Sequence, residues 1–73
     1  MVKYYIGEKK KITSYDYKTF VIKNGDKLHV EQTYNNKLFC NHDKGLGVML
    51  HINEVGTLQD LKYQKLEYIE KYY

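Results

Sequence analysis

The chain has 73 residues, 42% hydrophobic and 29% charged, with a formal net charge of +3. This length gives one domain over residues 1–73 with a thin core, since a domain so small buries only roughly 60% of the surface its unfolded chain exposes. A lone cysteine, Cys40, excludes an internal disulfide, and no CxxC or HxxxH spacing offers a structural zinc site.

No stretch approaches a membrane span, and MVKYYIGEKKKI lacks an apolar run of signal-peptide length. A single free thiol suits a reducing compartment, so a cytoplasmic protein without a membrane partner is expected. Ala, Pro, Trp and Arg are absent, and every cation of a basic side chain is a lysine. Such a composition is typical of AT-rich coding sequence, which discounts the excess of Lys and Tyr as functional evidence. The basic character is N-terminal, peaking at Lys9, Lys10 and Lys11.

In chain order, VKYYI predicts a first strand with Val2, Tyr4 and Ile6 on one face, closed by a turn at Gly7. EKKKITS is polar and predicts a loop or a frayed strand. YKTFVIKNGDKLHVEQTY predicts a hairpin around Asn24-Gly25, the strongest short turn signal in the chain. A two-residue turn would pair Lys23 with Asp26 and Lys18 with Glu31, and would gather Tyr17, Thr19, Val21, Leu28 and Val30. A three-residue loop with Gly25 left-handed would gather Phe20, Ile22, Leu28 and Val30 instead, and pattern alone leaves both open.

After a turn at Asn35-Asn36, NKLFCNH and VMLHIN predict a second hairpin around DKGLG. Glu54 to Gly56 ends the sheet. TLQDLKYQKLEYIEKYY then predicts a helix capped by Thr57 with Asp60 in its first turn. Leu58, Leu61, Leu66, Tyr68, Ile69, Tyr72 and Tyr73 fall on about half of its wheel, interrupted by Lys62 and Lys65. The expected fold is α+β: a small antiparallel sheet of four to five strands, made of two hairpins and an N-terminal strand, covered by one C-terminal helix.

Chemistry converges nowhere in this pattern. Keeping Leu38 and Cys40 on one face with Val48, Leu50 and Ile52 sends Phe39, Met49 and His51 to the other, so His51 cannot reach Cys40. His42 shares the face of Cys40 without the orientation that a general base requires. Gly45-Leu46-Gly47 has neither the spacing nor the following helix of a phosphate loop. No catalytic residue, metal site, cofactor or small-molecule substrate is expected.

Nine tyrosines exceed what a thin core hides, and tyrosine suits interfaces. The expected function is a non-enzymatic protein-interaction module that covers a surface of a larger host protein or self-associates, in the manner of an inhibitor or accessory product of a phage or mobile element. Lys62, Lys65, Tyr68, Tyr72 and Tyr73 are its candidate contact residues. The alternative is a weakly basic module for single-stranded nucleic acid, using Tyr5, Lys9, Lys10, Lys11 and Tyr15.

Overall fold

A computed structural model describes residues 1–64. Strands β1 (Val2–Tyr5), β4 (Lys27–Tyr34), β5 (Lys37–His42), β6 (Gly45–His51) and β7 (Val55–Gly56) form a five-stranded antiparallel sheet in the order β6-β5-β4-β1-β7. Strands β2 (Lys10–Thr13) and β3 (Thr19–Ile22) form a separate antiparallel pair. A 3₁₀ turn (Ile52–Glu54) precedes β7, and a helix, α1, occupies residues 58–64. The architecture is the expected α+β, with the β2–β3 pair as an additional layer.

The core lies between that pair and one face of the large sheet. Phe20 and Ile22 from β3 join Tyr5, Leu28, Leu38, Cys40, Val48, Leu50 and Val55 in one buried cluster, with Ile12 and Val30 packed against it. Cross-strand register explains the grouping: Leu38 faces Leu50, Cys40 faces Val48, and Val30 faces Cys40. Alternation then sends the intervening side chains to the opposite, outer face. The expected separation of Leu38, Cys40, Val48 and Leu50 from Phe39, Met49 and His51 is therefore present. Ile52 departs from it, leaving the strand for the 3₁₀ turn with 44% of its surface exposed.

One expectation of strand pairing is corrected. The chain around Asn24-Gly25 does not form a hairpin, because β3 pairs with β2 while β4 pairs with β1 and β5. The turn itself forms, with the Asp26 N–H donating to the Lys23 carbonyl at 3.1 Å and Gly25 at φ 97°. Its backbone instead extends the β1 ladder: Tyr5 N–H donates to Asp26 and Gly25 N–H donates to Tyr5. Lys18 and Glu31 consequently do not face each other. Phe20, Ile22 and Leu28 are buried and Val30 half-buried, which is the face expected of the three-residue loop.

In β1, Val2 and Tyr4 share one face as expected, and that face is the outer one. Lys3 sits opposite Leu28, and Tyr5 opposite Val55, so Lys3 and Tyr5 share the core face while Val2 and Tyr4 lie on the other. Tyr5 is fully buried. The lysine stem reaches along the core margin, which lets a charged residue occupy an inward position.

The glycines of DKGLG belong to β6 rather than to the turn, which is Asp43-Lys44 alone. Between the Cys40–Val48 and His42–Gly45 pairs, β6 carries one extra residue, so a bulge forms. Gly47, at φ 77°, supplies the left-handed residue that such a bulge favours. At α1, Thr57 Oγ1 accepts the Asp60 N–H at 3.2 Å and Asp60 Oδ2 accepts the Thr57 N–H at 2.8 Å, the expected reciprocal cap. The Thr57 N–H and the Thr57 hydroxyl, which donates to the same Oδ2 at 3.0 Å, hold the Asp60 carboxyl below its ordinary range. Leu61 is buried, and Gln64 ties α1 to the Ile6 carbonyl and to Asn24.

Candidate functional site

Ser14 and His42 are the buried polar residues among those described, each with an aspartate beside it, and their hydrogen bonds decide what they can do. His42 is 7% exposed, stacked on Phe20 with ring centroids 4.5 Å apart. Its Nδ1 accepts the Lys44 N–H at 3.0 Å, so in this arrangement the ring proton belongs on Nε2, which lies 2.8 Å from Asp26 Oδ2. Neither nitrogen is left to take a proton from a nucleophile. Ser14 is buried but turned elsewhere, donating to Asp16 Oδ1 and accepting the Lys18 N–H. That hydroxyl bond is the leading cause of the lowered Asp16 pKa. His42 and Asp26 brace the Asn24-Gly25 turn against the β5–β6 turn, while Ser14 and Asp16 brace the β2–β3 turn, with Asp16 Oδ1 also accepting the Leu46 N–H at 3.1 Å.

Cys40 is fully buried, and burial pushes its thiol up to about 11. At neutral pH it stays a thiol, the unreactive form. Among the described residues no group of three or more histidine, cysteine or carboxylate side chains is placed to hold a metal ion.

Glu54 forms a second polar junction. Its Oε1 accepts the His51 N–H at 3.0 Å, and Oε2 meets Lys10 Nζ and, at 3.4 Å, Tyr5 Oη. Burial works to raise this carboxyl, but the Lys10 hydrogen bond, the His51 N–H and the lysine charge outweigh it and lower the pKa. The Tyr5 phenol, which also donates to the Glu8 carbonyl, is pushed up to about 12 by burial and by the Glu54 charge.

The candidate nucleic-acid residues are thus dispersed. Tyr5 is a core residue whose ring cannot stack on a base, which corrects its assignment to a surface. Lys10 is paired with Glu54. Lys9 and Lys11 are exposed on the β2 side. Tyr15, 68% exposed, follows β2 around the β6 edge, where its N–H donates to the Gly47 carbonyl at 2.8 Å. Its ring then meets Phe39 with centroids 5.4 Å apart. Gly47 permits this approach, since a Cβ there would stand 2.9 Å from Tyr15 Cβ.

Phe39 belongs to the outer face of the large sheet, the surface the sequence did not single out. Adjacent rows can be read from the register: Tyr34 opposite Lys37 and Lys37 opposite His51; Gln32 opposite Phe39 and Phe39 opposite Met49. Further along, Val2 faces His29, which faces Asn41, and Tyr4 faces Lys27. No acidic residue occupies these alternating positions. Glu31, the extra residue of the β4 bulge, brings a carboxylate to this face on the central strand, where it accepts from Asn41 Nδ2 at 2.9 Å. Among the described residues, Lys27 and Lys37 have no carboxylate within ion-pair distance. The signal available in the sequence was the alternation of KLHVEQTY and KLFCNH; the unforeseen strand order and bulge obscured it.

Of the candidate protein-contact residues, Lys62 is exposed on α1, beside the exposed Leu58. Lys65, Tyr68, Tyr72 and Tyr73 lie outside the described residues. No helix among the described residues is long and apolar enough to cross a membrane. No protein-family model, curated protein or solved structure matches the chain.

Proposed function

We propose that the protein is a non-enzymatic interaction module that works by covering a surface of a larger macromolecule, with the outer face of the five-stranded sheet as its contact area. One observation carries this reading: that face presents Tyr34, Met49 and Val2 at 57%, 42% and 43% exposure, interleaved with lysine and histidine. Rings beside lysines that are in no ion pair among the described residues, with Glu31 as the carboxylate bonded to Asn41 on that face, form a surface suited to contact.

The interior supports the same reading from the other side. The buried serine, histidine and cysteine, and the half-buried Asp26, are committed to hydrogen bonds or to packing, and a domain this thin has little volume for an enclosed substrate. Occlusion of a partner's surface is sufficient for an inhibitory or accessory role.

The test is affinity capture from the source cell with the full chain, comparing wild type with a Tyr34→Ala, Lys37→Glu double variant of unchanged melting behaviour. Loss of one captured macromolecule from the variant supports the assignment. Equal capture by both chains overturns it.

A further inference from the structure

We infer that the outer sheet face takes a single-stranded nucleic acid, with bases stacking on exposed tyrosine rings and phosphates meeting Lys27 and Lys37. The inference rests on the proposed role of that face as the contact surface and names the class of its occupant.

The register supplies the argument. Tyr34 on β4 is the direct cross-strand partner of Lys37 on β5, and Tyr4 on β1 is the direct cross-strand partner of Lys27 on β4. Directly opposed residues hold their Cβ atoms about 4.5–5.5 Å apart, so each pair roots one tyrosine and one exposed lysine side by side, Tyr34 exposed and Tyr4 half-buried. The face therefore carries the same ring-and-cation unit twice. A single strand repeats the complementary unit, one flat base and one anion per nucleotide.

A duplex offers the anions but hides its base faces within the stack, so this arrangement selects unpaired strands. The Tyr15–Phe39 pair adds a third aromatic position beside the β6 edge. An acidic protein surface would satisfy the lysines but gives no repeating counterpart to the rings. Glu31, on the central strand β4, is the carboxylate on this face, fixed by Asn41, and it opposes any polyanion.

Fluorescence anisotropy with labelled oligonucleotides of about 15 nucleotides, dT and U single strands and a mixed-sequence duplex, at about 50 and 200 mM salt, provides the test. Single strands should bind more tightly than the duplex, and less tightly as salt rises. Tyr34→Ala should weaken binding about tenfold. Combining Lys27→Glu with Lys37→Glu should reduce the slope of log affinity against log salt by about 1.4 or more. Glu31→Gln should strengthen binding while keeping a partner for Asn41. Thermal melts identify any variant that fails to fold.

Absence of single-strand binding at the lower salt overturns the inference, as does equal affinity for the duplex. So does binding abolished by Lys9→Glu with Lys11→Glu but indifferent to the outer-face variants. If no oligonucleotide binds while Lys37→Glu releases a captured protein, the inference falls and the contact-surface reading stands. If outer-face variants alter neither, both fall.

Discussion

The two faces of the five-stranded sheet are built from the same strands and behave as different materials. The inner face holds Tyr5, Leu28, Leu38, Cys40, Val48 and Leu50, each at most 5% exposed, under a lid formed by the β2–β3 pair. The outer face holds the alternate residues of those strands, with rings and lysines open to solvent. Register separates them, for a shift of one position would exchange the two sets. If the outer face is the contact surface proposed above, stability and recognition fall on opposite sides of a sheet one residue thick, and substitutions on one side need not disturb the other.

Substitution at the centre of the inner face probes the comparison most severely. Leu28→Ala removes a fully buried side chain and should cost about 2–5 kcal/mol, measured by urea denaturation. A loss below about 1 kcal/mol would mean that the core does not close over β4. Next comes the polar brace: His42→Ala strands Asp26 and the Lys44 N–H and removes the Phe20 stack, for an expected loss of about 2 kcal/mol. An Asp26→Ala variant, which removes the acceptor, with wild-type stability would argue against that hydrogen bond.

Glu54→Gln tests the junction between the two layers, and its effect should be near 1 kcal/mol because Lys10 is partly exposed. The folded carboxyl titrates below its ordinary value of 4.5, so its contribution is complete above that pH and is lost as pH falls through the folded pKa. Wild type and variant should therefore converge in acid-limb melts, and a constant gap down to low pH would contradict the pairing. The smallest effect belongs to the outer face: Tyr34→Ala and Lys37→Glu should each change stability by less than about 0.5 kcal/mol. A large loss there would show that the outer face is structural after all.

Legibility in the sequence followed the range of the interaction. The β5–β6 register could be read because Leu38, Cys40, Val48 and Leu50 alternate on both sides of a short turn. The Thr57–Asp60 cap could be read because its partners are three residues apart. Asn24-Gly25 announced a turn correctly, yet a turn does not dictate that its flanking strands pair with each other. Here β3 leaves for the other layer, because β1 and β5 occupy both sides of β4. The adjacent tyrosines of β1 could serve either face, and Lys3 opposite Leu28 disguised the inward set. His42 and Glu54 were invisible as braces because their partners, Asp26 and Lys10, lie 16 and 44 residues away.

The place of β1 in the strand order has a kinetic consequence. It is the first strand in the chain, yet its neighbours are β4, beginning at Lys27, and β7, beginning at Val55. Contacts of such sequence separation are slow to form, whereas the β4–β5–β6 meander closes through two short turns. Pairing of β1 with β4 thus waits for the chain to reach Tyr34, and pairing with β7 for it to reach Gly56, so its second edge closes last.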